Sequence, residues 1–159
     1  MDWKSYYNSR KVTADEAVKH VKDGYNITLS HATAEVRLLP QALVRRQKEI
    51  RDVGIFHGLN FGPGVYCQED VDPDSIRHYG IFFGKGTRDA GARGQAALCP
   101  IHFGAFPGMI RDGLTPIDCA FLHVSPPDEF GFCTFGVSCD WERAAIDSAE
   151  LVIAEVNPN

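Results

Sequence analysis

A chain of 159 residues, 44% hydrophobic and 23% charged, has the size and composition of one ordinary globular domain. Its net charge of −5 excludes a general nucleic-acid binder, and no apolar run approaches the ~20 residues that span a bilayer. Five cysteines, an odd number without dense spacing, are expected as reduced thiols in a cytoplasmic protein; "MDWKSYYNSRKV" lacks the basic-then-apolar order of a secretory signal.

Thr13-Ala14-Asp15-Glu16 has the spacing of a capping box. Ala14, Ala17, Val18 and Val21 then recur at helical spacing, with Gly24 expected to end that helix. "NITLSH" reads as a strand. Pro40 suits the first turn of a helix reaching about Arg51, whose cations are most simply a solvated face. Val53 to Asn60 reads as a second strand, Val65 to Tyr79 carries no clear period, and "YGIFF" is expected to be a short strand. "FPGMIRDG" suits a short helix, and Ile117 to Val124 a strand covered on both faces. "SPPDEFGFCTFGVS" reads as a turn with a short strand. Ser138 or Asp140 is expected to cap the next helix, and "LVIAEV" to form another buried strand. Strands alternating with helices predict an α/β fold: a single domain over 1–159, with a largely parallel sheet and flanking helices.

Ligands of open parallel sheets bind beyond the carboxyl ends of the strands. Three segments there are small or polar: "SHATAE" (30–35), "HGLNFGPG" (57–64) and "HVSPPDEFGF" (123–132). Their hydroxyls, amides and glycine N–H groups suit a carboxylate or a thioester carbonyl, though such residues are also what turns demand. The loop "GKGTRDAGARG" (84–94) fails as a nucleotide-triphosphate cradle: only three residues separate Gly80 from Gly84 where four are needed, and Gly86 replaces the hydroxyl residue. Cys99 and His102 make one loose pair where a structural zinc wants two tight ones, so no metal is expected. Cys119 and Cys133 are expected in the core, His123 as a hydrogen-bonded strand histidine, and Glu155 as an acceptor for loop N–H groups rather than a base.

"DWKSYYNSRKVTADEAVKHVKDG", "TRDAGARGQAALCPIHFGAFPGMIR", "HVSPPDEFGFCTFGVS" and "AIDSAELVIAEVN" together resemble the N-terminal half of the acetyl-CoA hydrolase/transferase family, particularly its 4-hydroxybutyrate and butyryl-type coenzyme A transferases. Alanine stands at Ala92 where the family's Gly-x-Gly-Gln run has its first glycine. The resemblance implies a coenzyme A transferase-like fold and a two-domain protein in which this chain is the N-terminal domain. It also implies ping-pong transfer of CoA between an acyl-CoA and a short carboxylic acid through a glutamyl-CoA intermediate. The nucleophilic glutamate belongs to the C-terminal half, so this chain supplies no catalytic residue and is expected to be inactive alone. Ser30, His31, Thr33 and Asn60 resemble loops that orient substrate; Ser125, Pro126 and Asp128 resemble a segment facing the inter-domain cleft. The CoA thioester is substrate and no cofactor is expected to be bound permanently. Expected partners are the C-terminal domain or a second subunit and, at full length, further copies of the chain. The alternatives are half of an acyl-CoA hydrolase, or a non-catalytic partner subunit.

Overall fold

A computed structural model describes residues 2–158. Six parallel strands form one sheet in the order β4-β3-β2-β1-β5-β6. They are β1 (Asn26–Leu29), β2 (Val53–His57), β3 (Ile76–Gly80), β4 (Ala96–Leu98), β5 (Cys119–Val124) and β6 (Leu151–Val156). The helices are α1 (Trp3–Arg10), α2 (Ala14–Ala17, continued by a 3₁₀ turn to His20), α3 (Leu38–Arg45), α4 (Arg88–Ala92), α5 (Phe106–Arg111) and α6 (Glu142–Ser148). None is long and apolar enough to cross a membrane.

The chain builds outward from β1 to β4, then returns past its starting point to add β5 and β6 on the other side. Helices α2, α3 and α4 pack on one face, where Leu39, Leu43 and Ala90 meet Ile27, Ile55 and Phe121. Helices α5 and α6 pack on the other, through Phe106, Ile110 and Ala144 around Trp141 and Phe56. Reversing direction in the sheet and changing face together is what right-handed crossovers require.

Thr13 and Glu16 form the complete capping box, at 3.2 and 2.9 Å. The helix ends at His20 rather than Gly24, whose φ of +75° instead serves the turn into β1. Helix α3 stops at Arg45, and its basic run is only partly solvated: Arg46 donates to the Val18 carbonyl, and Arg51 to Ser75. The third strand ends at Gly80, where the sequence suggested one beginning; its polar Arg77 and buried His78 hide it from a hydrophobic pattern. Residues 125–134 form a hydrogen-bonded turn without a strand, and Cys133 is exposed rather than core. Helix α6 has no side-chain cap from Ser138 or Asp140; the Glu142 carboxylate instead accepts the Asp140 N–H at 2.6 Å. Strand β6 is an edge strand with alternating exposure.

Candidate functional site

The switch in strand order falls between β1 and β5, so the crevice for a ligand opens at their carboxyl ends. Residues 30–35, directly after β1, contact the loop after β2, the end of β5 and the segment before α6. Ser30 N–H donates to the Phe121 carbonyl, and its Oγ accepts the His123 N–H at 3.3 Å. Ala32 N–H donates to the Leu59 carbonyl, with Ala32 held at φ +52°, a left-handed conformation that costs a non-glycine residue ~1 kcal/mol or more. The Glu35 carboxylate accepts the Phe61 and Gly62 N–H groups at 2.9 and 2.6 Å, fixing the second loop to the first. His123 Nδ1 lies 3.2 Å from the Ala34 carbonyl, as expected of a hydrogen-bonded strand histidine.

His31 sits at the centre. Its Nε2 donates to Asp140 at 2.6 Å, and its ring stacks on Trp141 with centroids 4.3 Å apart. Nδ1 faces Gly58, where a Cβ would fall 2.8 Å from it and 2.7 Å from Trp141. A carboxylate on one nitrogen and an indole on one face fix both tautomer and orientation.

Two further histidines extend away from His31 under the sheet's first face. His57 lies 6.4 Å from His31 and 6.4 Å from His78, centroid to centroid, and His57 Nδ1 is 2.5 Å from the Tyr66 hydroxyl. Both are essentially inaccessible to solvent. Burial, reinforced by the neighbouring His78 and His31, pushes His57 well below its usual 6.5. Burial lowers His78 to about 4, opposed by the Ile55 backbone. Both are therefore neutral near pH 7.

The glycine-rich loop packs rather than cradles. Thr87 Oγ1 donates to Asn60 Oδ1 at 3.3 Å, and Asn60 Nδ2 to the Gly62 carbonyl at 2.8 Å. A Cβ on Gly84 would stand 2.4 Å from Asn60 Oδ1; one on Gly86 would stand 2.6 Å from both Asn60 Nδ2 and the Gly62 oxygen. The glycines thus bring the loop into backbone contact with residues 60–63. Gly86→Ala is expected to cost about 1–3 kcal/mol, read from urea denaturation, since backbone cannot yield as a flexible side chain would. Arg93 is held by Gln95, the Cys67 carbonyl and Glu69. Beside it a cleft of about 830 Å³ is lined by Arg37, Lys85 and Arg93 but equally by Glu69, Asp70 and Asp89, a balance that does not select an anion.

The structure brings Ser30, His31, Thr33 and Asn60 to one edge; Thr33 Oγ1 lies 3.1 Å from Ser138 Oγ. Ser125 and Asp128 instead bind their own turn. Ser125 Oγ accepts the Thr134 N–H and donates to the Pro126 carbonyl, while Asp128 accepts the Phe130 and Phe132 N–H groups. That turn leaves both phenyl rings exposed. Glu155 accepts the Leu39 and Arg37 N–H groups at the start of α3, at 2.7 and 3.2 Å, so its carboxylate is used structurally. Burial pushes the Cys67 and Cys119 thiols up to about 12, leaving them unreactive near neutrality. Among the described residues no group of three His, Cys, Asp or Glu could hold a metal ion. Glu35, Asp140 and Trp141 are site residues that the sequence did not single out for that role; no local motif marks them.

The pattern defining the acetyl-CoA hydrolase/transferase N-terminal domain matches residues 1–159. The chain is 37% identical to the 4-hydroxybutyrate coenzyme A transferase of Clostridium kluyveri and 31% identical to the butyryl-CoA:acetate CoA-transferase of Anaerostipes caccae. All of it aligns with each, spanning 37% and 36% of their lengths. Among solved structures, the 4-hydroxybutyrate CoA-transferase of Porphyromonas gingivalis superposes with a TM-score of 0.75 at 32% identity, over 98% of this chain and 35% of that one. RipA of Yersinia pestis superposes at 0.88 with 24% identity, over 99% and 38%, a likeness of fold.

Proposed function

The chain belongs to the acetyl-CoA hydrolase/transferase family, as its N-terminal domain, and from that premise we propose that it forms the acyl-binding side of a coenzyme A transferase. The observation that supports this most is the convergence of residues 30–35 with the second loop and the Asp140–Trp141 segment at the switch point. A cytoplasmic setting and a homo-oligomer at full length complete the proposal.

In this reading a glutamate carboxylate from the remaining part of the protein attacks the acyl-CoA carbonyl. The C–S bond breaks, CoA leaves as thiolate, and an acyl-glutamyl anhydride remains. The thiolate then attacks the glutamyl carbonyl, expels the acyl group as its carboxylate and leaves the glutamyl-CoA thioester. The incoming carboxylate attacks that thioester, displacing the thiolate and forming a new mixed anhydride. Attack of the thiolate on its acyl carbonyl gives the new acyl-CoA and frees the glutamate. Dividing the exchange this way replaces one difficult step by easier ones. This chain contributes position: His31, held by Asp140 and Trp141, orients the carboxylate that enters or leaves, together with Ser30, Thr33 and Asn60. The turn carrying Ser125, Pro126 and Asp128 borders the cleft to the second domain. The substrates are an acyl-CoA and a short carboxylic acid.

The 159-residue chain is expected to give no butyryl-CoA from acetyl-CoA and butyrate, and the full-length protein to give it readily. In the latter, His31→Asn is expected to lower kcat/KM at least tenfold, about 1.4 kcal/mol of transition-state stabilisation. Turnover by the isolated chain, or CoA release independent of any carboxylate acceptor, would count against the proposal.

A further inference from the structure

Two departures from local rules meet at the start of α6. An aspartate beside a helix start ordinarily turns its carboxylate onto the first free N–H groups. Asp140 does not: its carboxylate accepts from His31 Nε2 at 2.6 Å, and α6 carries no side-chain cap. The second departure is Glu142, the first residue of α6, which has no exposed surface. Its carboxylate accepts the Asp140 N–H through Oε2 at 2.6 Å, while Oε1 is buried with no hydrogen-bond partner among the described residues. A buried polar group satisfied on one side only is unfavourable for the fold. Such departures collect where function requires them.

Both serve the same contact. His31 Nδ1 is buried with no hydrogen-bond partner among the described residues, so the Asp140 carboxylate alone anchors the ring by a hydrogen bond. Trp141 fixes the plane of the ring by stacking on it at 4.3 Å, but a stack leaves the ring free to turn within that plane. The bond to Asp140 removes this freedom. The Asp140 side chain is itself partly open to water, which competes for its oxygens, so the backbone that carries it has to be held. Glu142 holds it.

We propose that Glu142 is a positioning residue of the transfer reaction: by fixing the Asp140 backbone it keeps the Asp140 carboxylate on His31, and His31 turned towards the carboxylate substrate. The inference rests on the orienting role proposed for His31, and it adds a buried group that reaches the substrate only through Asp140 and His31. A side chain that merely filled space would be replaceable by any other of its size.

Two substitutions in the full-length protein separate these roles. Glu142→Met keeps length and bulk and loses both acceptors; Glu142→Gln keeps an oxygen for the Asp140 N–H. For butyryl-CoA formation from acetyl-CoA and butyrate, the Met variant is expected to lose at least about tenfold in kcat, with KM for acetyl-CoA within about threefold of the parent. Its urea midpoint should be unchanged or raised, since a half-satisfied buried group is gone. The Gln variant should keep at least about a third of the parent kcat. In protein carrying nitrogen-labelled histidine, the proton on His31 Nε2 is expected far downfield, as a short bond to a carboxylate requires, and is assigned by its loss in His31→Asn. That signal should persist in the Gln variant and move upfield or broaden in the Met variant. The proposal is overturned by an unchanged signal or full activity in the Met variant, or by a Gln variant as slow as the Met one. A Met variant that unfolds, or melts at clearly lower urea, also overturns it by making Glu142 a residue of the fold. If His31→Asn costs nothing in the transfer assay, the orienting role of His31 is what fails, and the histidine signal still reports whether Glu142 holds Asp140 on the ring.

Discussion

Lowering the pH from 7 to 4 is expected to remove about 3 kcal/mol of stability through His78 alone, with a further loss in the same direction from His57. In the unfolded chain both imidazoles protonate near 6.5; in the folded chain His78 does so at about 4 and His57 well below its usual value, because burial disfavours the charged ring. Between those values the unfolded state binds more protons, so stability is fully present above about pH 6.5 and falls as the pH drops towards 4. The gap between 6.5 and about 4, at ~1.4 kcal/mol per pH unit, amounts to about 3.5 kcal/mol in full, of which about 3 is lost by pH 4, where folded His78 is itself half protonated. Against a total of about 5–15 kcal/mol for an ordinary domain, that loss is large. Urea denaturation at pH 7, 5.5 and 4 measures it. His78→Phe keeps a ring against Tyr66 and Phe83 and removes the titration. The variant should lose visibly less stability than the parent over the same range. Parallel curves for the two proteins would show that His78 stays neutral in the unfolded chain, or charged in the folded one.

Trp141→Ala is expected to cost about 3–5 kcal/mol, the usual range for emptying a buried aromatic site. Trp141 is 1% exposed, stacks on His31 and meets Phe106 edge to face at 4.9 Å. It joins the second core to the candidate site, so truncation should also free the His31 ring that Asp140 holds from one side only. Two readings distinguish these effects: the denaturation midpoint for the cavity, and the His31 side-chain NMR signal for the lost stack. Trp141→Phe, which restores a ring and much of the volume, should recover most of the stability. A loss below about 1 kcal/mol for the alanine variant would mean that the surrounding helices collapse onto the gap.

Where sequence and structure agree, the signal is short in range. The Thr13–Glu16 box needs only a three-residue spacing, and β5 shows itself as an apolar run bounded by turns. Helix α1 was not legible because none of its residues is buried; its Trp3 lies against Gly131, far along the chain. Strand β3 was misplaced because His78 is polar by type and buried by position. The apolar "LVIAEV" says nothing about which strands flank it, so an edge strand read as an interior one. The three polar loops were found at strand ends, as any parallel sheet would suggest. Their mutual contacts were not, because Ser30 and His123 are 93 positions apart. The glycine-rich loop was excluded as a phosphate cradle by spacing; that its glycines exist for Asn60 and Gly62 needed the fold.

The return of the chain past β1 to lay down β5 has a kinetic consequence. Asn26 N–H bonds the Asp118 carboxylate at 2.7 Å across 92 positions, and β1 pairs with β5 over the same distance. Closing a flexible segment of that length costs roughly 4 kcal/mol of chain entropy before any contact repays it. The strands from β1 to β4 can assemble in sequence, each on its predecessor, but the crevice between β1 and β5 forms only once β5 arrives. On a ribosome the first four strands emerge with the β1 edge bare, and the candidate site comes into being late, in the step that also covers that edge.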